Sequence, residues 1–432
     1  MKRKQKVGVI TLGCSKNIVD SERLMNQLVL NNCRLVNDPN KADVVIINTC
    51  GFIEAAKEES INTILNAVEL KNKGKIKKVI VSGCLSERYK TDLATEIPEV
   101  DVYFGTENYE GILKELGGEL RHELLGERVI TTPGHYAYLK ISEGCNNPCS
   151  FCAIPLIRGV HRSKTIEELV GEASFLARNN TKELIVIGQD TTDYGTDIYG
   201  KRNLAELLDK LSMINGIEWI RLLYAYPSHF PKDVISVLAD NPKLCKYIDI
   251  PLQHITDNVL KSMRRGISER RTRELLYELR DKIPGITLRT TFITGYPAET
   301  EQDFLSLCQF VKEIEFDRTG VFTYSAEENT PSFILGDTVP EEVKEERKAV
   351  LMEIQKDISL KKNRTLVGSR IKVIIDSSGD EDDSTQYTGR SMRDAPEVDG
   401  EVIITSDKKL QTGNFYDASV YECSEYDLFG RV

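Results

Sequence analysis

The chain has 432 residues, too many for one hydrophobic core, so two to four domains are expected. Its 40% hydrophobic and 29% charged content is ordinary for a globular protein, and its net charge of −10 argues against nucleic acid as the main partner. The apolar run in MKRKQKVGVITLGC is short and interrupted, and nothing approaches a membrane span, so a cytoplasmic location without membrane attachment is expected. In such a chain ten cysteines point to metal or redox chemistry rather than disulfides.

From the N-terminus, KVGVITLGC, KADVVIINTCG and KIKKVIVSGC are β-branched runs separated by helical patterns. They predict a doubly wound parallel sheet in a domain spanning 5–122. Between 136 and 327 six strand–helix units follow, with strands YAYLKIS, ELIVIGQD, WIRLLYAYP, YIDIPLQH, TLRTTFITGYP and TGVFTYSAE. Six repeats predict a partial (β/α) barrel, with polar groups at the carboxyl ends of the strands, within a domain at 131–362. A charged helix over 340–364 closes it. Short strands and turns over 365–432 predict a small antiparallel β barrel. The whole is an α/β multidomain chain.

The stretch GCNNPCSFC holds Cys145, Cys149 and Cys152 in a C-x3-C-x2-C spacing. Structural zinc sites close with a fourth ligand, usually from a second knuckle. No second knuckle is present here, and downstream of the motif only His161 follows near in sequence. Three thiolates in a polar loop suit a 4Fe–4S cluster with one iron left open. The N-terminal domain repeats the pattern in dispersed form. Cys14, Cys50 and Cys84 each follow a predicted strand and each has a glycine neighbour. The carboxyl ends of parallel strands share one edge, so these three thiols can meet there and hold a second cluster. Cys33, Cys245, Cys308 and Cys423 read as packing residues.

The motif C-x3-C-x-Phe151-C resembles the radical S-adenosylmethionine superfamily. With the second cysteine trio and the terminal β domain, nearly the whole chain is similar to the radical methylthiotransferases. That resemblance implies an N-terminal methylthiotransferase domain, a radical core and a TRAM domain, two 4Fe–4S clusters and S-adenosyl-L-methionine. It implies that Phe151, Gln189, Asp190, Thr294 and Gly295 lie near the S-adenosylmethionine, and that an electron donor and a sulfur donor serve the reaction.

The family modifies either tRNA adenosine or an aspartate of ribosomal protein S-twelve at its β-carbon. GCSKNIVDSE (13–22) and GRSMRDAPEVDGEV (389–402) resemble the protein-modifying branch, although Ser15 and Ala298 stand where proline and glycine are common. From Thr365 onward seven Lys and Arg face fourteen Asp and Glu, among them Asp380, Glu381, Asp382 and Asp383. Such a balance repels a phosphate backbone and suits a basic protein, ribosomal protein S-twelve or the small ribosomal subunit. A tRNA methylthiotransferase and a non-catalytic iron–sulfur ribosome-binding protein remain the alternatives.

Overall fold

The computed structural model describes residues 4–379 and 385–432; Asp380, Glu381, Asp382 and Asp383 lie outside the described residues. The N-terminal sheet contains β1 (Lys6–Thr11), β2 (Arg34–Leu35), β3 (Val44–Thr49), β4 (Lys78–Gly83) and β5 (Val102–Tyr103). All pairings are parallel, in the order β2-β1-β3-β4-β5. Central β3, VVIINT, is buried along its whole length because helices cover both faces. One face packs Val45, Ile47, Val79 and Val81, the other Val44, Ile46 and Ile80. The two-residue strands β2 and β5 carry no sequence pattern of their own.

The second sheet contains β6 (Tyr136–Lys140), β9 (Glu183–Ile187), β10 (Trp219–Leu222), β11 (Leu244–Asp249), β12 (Thr287–Thr294) and β13 (Arg318–Thr323). These six expected strands pair in parallel and in chain order, leaving β6 and β13 as open edges. A small hairpin of β7 (Ser142–Glu143) and β8 (Arg162–Ser163) brackets the cysteine loop. Helices Ile166–Arg178 and Glu301–Ile314 start at capping boxes, Thr165 with Glu168 and Thr300 with Asp303. Leu139, Leu184, Val186, Ile220 and Leu222 face the helices. Tyr136, Tyr138, Ile185, Ile187, Trp219 and Tyr247 face the concave side. The charged helix runs from Glu341 to Arg364 and lies beside β13, where Gln355 donates to Phe316 O at 2.8 Å.

The last 60-odd residues form a closed barrel of β14 (Arg370–Ser378), β15 (Gln386–Ser391), β16 (Val402–Thr405), β18 (Leu428–Arg431) and β17 (Phe415–Cys423). Four of its pairings are antiparallel, while β16 and β18 run parallel. Its β15–β16 loop carries Met392 and Ala395 onto the concave face of the central sheet. No helix among the described residues is long and apolar enough to cross a membrane.

Candidate active site

Cys14, Cys50 and Cys84 all lie just past the carboxyl ends of β1, β3 and β4. Backbone approach there is close: a Cβ on Gly13 would sit 2.8 Å from Cys50 Sγ, and one on Gly51 would sit 2.6 Å from Leu85 Cα. The parallel edge therefore gathers the three cysteines: burial raises the Cys50 and Cys84 thiols, and the charge of neighbouring Cys14 adds to both. Asn17 ties the group together. Its Nδ2 donates to Leu12 O at 2.7 Å and to Thr49 O at 3.1 Å, while Cys84 Sγ approaches its Oδ1 at 3.6 Å.

The C-x3-C-x2-C loop follows β6 and β7. Cys145 N donates to Gly159 O at 3.1 Å, Asn147 Nδ2 to Asp190 Oδ2 at 2.7 Å, and Ser150 N to Met263 O at 3.0 Å. These bonds pin the loop to its own exit, to the end of β9 and to the turn after helix Asp257–Ser262. Arg265 completes the site. Its guanidinium donates to Cys149 Sγ at 3.2 Å and to Pro251 O, and stacks 4.3 Å from the centroid of Tyr226. The Tyr226 hydroxyl lies 3.7 Å from the same sulfur.

Burial pushes the Cys84 and Cys152 thiols up to about 12 and Cys145 up to about 11. Without a cation these groups stay protonated; a bound iron supplies the charge that makes them thiolates. Two sets of three soft ligands suit iron–sulfur clusters. Gln189 adds a buried amide oxygen that has no partner among the described residues. That orphaned acceptor suits a polar co-ligand such as S-adenosylmethionine, so the donor set fits the expected cofactors.

The other expected residues have different surroundings. Asp190 is buried and accepts from Asn147 and Thr192. Phe151 packs against a cluster containing Met263, Tyr296 and Tyr324. The Thr294 hydroxyl lies within 3.2 Å of Lys344 O, and Gly295 N donates to Glu299 Oε2 at 3.0 Å. Those two polar groups are spent on holding helix Glu341–Arg364 and the β12 turn. His161 turns Nε2 to Ser163 Oγ at 3.0 Å.

Sequence reasoning missed the charged joint between the two cysteine sets. Arg158 donates to Cys84 Sγ at 3.6 Å, Asn17 Oδ1 at 2.6 Å, Asp20 Oδ2 at 3.0 Å and Glu143 Oε1 at 2.8 Å. Asp20, Glu107 and Glu143 converge closely enough to hold an ion, but the Lys140 ammonium bonds to all three. Glu143 lies two residues before Cys145, so one network braces both sites.

The acidity of the C-terminal domain also has a structural use that composition hid. Asp376 pairs with Arg390 and His135, Asp394 with Arg318, and Asp399 with Arg289. Glu397 accepts from the hydroxyls of Tyr136 and Tyr138. These four acids help dock the barrel on the central sheet; the Asp394 and Asp399 side chains are withdrawn from the surface, whereas Glu397 stays exposed.

Three family models match in chain order: Uncharacterized protein family UPF0004 over residues 6–105, Radical SAM superfamily over 139–311, and TRAM domain over 367–432. A protein of Christiangramia forsetii named ribosomal protein uS12 methylthiotransferase RimO is 53% identical over 99% of this chain and 94% of its own length. A RimO of Flavobacterium johnsoniae is 52% identical over 99% and 98%, and one of Cytophaga hutchinsonii is 51% identical over 100% and 98%. Among solved structures, the radical S-adenosylmethionine methyltransferase TsrM from Kitasatospora setae, with cobalamin and a 4Fe–4S cluster bound, shares the fold. Its TM-score is 0.56 at 13% identity, over 76% of this chain and 77% of that one. The cobalamin-dependent radical enzyme OxsB gives a TM-score of 0.53 at 13% identity, over 81% and 56%. With half its positions identical over essentially its full length, and with the two cysteine trios on these three domains, the chain belongs to the RimO methylthiotransferase family of radical S-adenosylmethionine enzymes.

Proposed function

We propose that this chain transfers a methylthio group to ribosomal protein uS12, at the β-carbon of an aspartate. The observation that carries the reading is the pair of three-cysteine sites, braced by one buried network, in a chain about half identical to named uS12 methylthiotransferases. Cys145, Cys149 and Cys152 would hold one 4Fe–4S cluster and Cys14, Cys50 and Cys84 the other. When bound, the first cluster and S-adenosylmethionine supply one-electron chemistry able to break an unactivated C–H bond. Gln189 and Asp190 lie at the carboxyl end of β9, where they would meet the cofactor's polar groups. Arg265 fixes Cys149, and Asn147 anchors the loop through Asp190. An electron donor and a sulfur donor would complete the system, acting in the cytoplasm where the ribosome is found.

The test uses the anaerobically reconstituted chain with reductant, S-adenosylmethionine and sulfide. Mass spectrometry should find a methylthio group on the ribosomal protein and none on tRNA. Methylthio-adenosine with an unchanged protein would overturn the reading.

A further inference from the structure

Lys16 is 7% exposed, yet its Nζ meets no carboxylate among the described residues. Among the described residues its partner is the ring of Tyr224, with Nζ 2.9 Å from the centroid. A lysine buried to this extent with no counter-charge beside its ammonium is costly, and a ring face offsets only part of that cost. The buried acids around this interface are already used: Asp20 bonds Lys140 and Arg158, and Asp249 bonds Arg289 and the Tyr224 amide.

The surroundings of Lys16 also favour an anion. It lies in the first turn of helix Ser15–Leu30, which has no side-chain cap and no acidic residue in that turn. The neighbouring Ser15 Oγ is buried and unpartnered. Position adds a further constraint. Lys16 stands two residues beyond Cys14, while Tyr224 is two residues before Tyr226, whose hydroxyl lies 3.7 Å from Cys149 Sγ. A ligand held by Lys16 therefore lies between the two cysteine sites.

We propose that Lys16 binds the carboxylate of the substrate aspartate, an assignment that rests on the function proposed above. The β-carbon is bonded directly to that carboxylate. Anchoring the charge on Lys16 thus sets the reacting carbon between the cluster ligands of the two domains. The bound carboxylate supplies the counter-charge that the ammonium lacks, and Ser15 Oγ can donate to it.

The test is a charge-swap cycle on the full-length reconstituted chain. Wild type, Lys16→Gln and Lys16→Arg are titrated with the ribosomal protein carrying either its aspartate or asparagine at the target position. Wild type should prefer the aspartate form about tenfold or more, the worth of a charge-assisted hydrogen bond. Lys16→Gln should bind both forms alike, and Lys16→Arg should keep the preference. Iron content and S-adenosylmethionine affinity should be unchanged in all three. Discrimination surviving in Lys16→Gln, or a loss that falls on S-adenosylmethionine instead, would overturn the assignment while wild type still modifies the protein. A wild-type chain that leaves the ribosomal protein unmodified would sink the functional reading itself, and the Lys16 assignment with it.

Discussion

The Arg158 guanidinium reaches from the radical core to the Cys84 sulfur of the N-terminal domain, 3.6 Å away. The same group bonds Asp20 and Glu143, so the charge that holds the domains together also touches a proposed cluster ligand. Removing one member of a buried ion network leaves the others uncompensated and costs about 3–5 kcal/mol. Arg158→Met is therefore expected to lower the unfolding free energy of the apo chain by about that amount, read by urea denaturation. N–H donation to sulfur stabilises the reduced, more negative cluster. In the loaded variant the N-terminal cluster should then have a lower midpoint potential by redox-titrated EPR, with the Cys145 cluster unmoved. Equal potentials in variant and wild type would reject the role given to this contact.

Arg265 plays the corresponding part at Cys149, with three engagements that a lysine cannot reproduce together: the sulfur, Pro251 O and the Tyr226 ring. Arg265→Lys should bind iron but cleave S-adenosylmethionine about 10–100-fold more slowly, the usual range for a lost outer partner of a metal ligand. Tyr226→Phe, which removes the weaker 3.7 Å contact, should have the smaller effect. The reverse ranking, in assays of 5′-deoxyadenosine release, would show that the sulfur contact is not the important one.

The strands were readable because β-branched runs such as VVIINT and ELIVI have few alternatives once both faces are buried. The cysteine trios were readable for a related reason: parallel topology brings every strand's carboxyl end to one edge, so Cys14, Cys50 and Cys84 need no local motif. The charged joint was not readable. Arg158 meets Cys84 across 74 residues and Asn17 across 141, and nothing in the local sequence marks such partners. Composition misdirected at Asp394 and Asp399, whose charges face arginines of the sheet, and at Asp376, which pairs with Arg390 of its own barrel and with His135. Net charge counts carboxylates without regard to the direction they point.

Two glycines should separate the clusters experimentally. Gly144 has φ +70°, and a Cβ there would lie 2.1 Å from Val160 O. Gly51 would press its Cβ against the backbone of Leu85 and Cys84. Gly144→Ala should lose the Cys145 cluster and Gly51→Ala the N-terminal one, each dropping iron from about eight to about four per chain. Gly171, in helix Ile166–Arg178 with nothing within 4 Å, serves as control. Gly171→Ala should keep all its iron and gain about 1 kcal/mol of stability.

Glu183 shows how acid should loosen the C-terminal barrel. Burial alone would raise its carboxyl, yet Arg390 and Arg221, each 2.8 Å away, hold it below the ordinary glutamate range. Asp376 is likewise held low against burial, by His135 and Arg390. A carboxylate whose folded pKa lies below its unfolded one adds stability above the unfolded value, about 4.3 for glutamate, and loses it as pH falls through the folded value. Stability should thus decline from about pH 5 downward, with the barrel leaving the central sheet as Glu183 and Asp376 take up protons. Glu183→Gln should be less stable at neutral pH by about 3–5 kcal/mol, because buried Arg221 loses its counter-charge and Arg390 is left with Asp376 alone. Its stability should also vary less steeply with pH between about 5 and 3, since one of the titrating groups is gone. Tryptophan fluorescence reports the docking directly, because the only Trp of the chain, Trp219, packs 4.8 Å from Phe415 of the barrel. A variant with the wild-type acid slope in that signal would show that Glu183 does not carry the proton linkage.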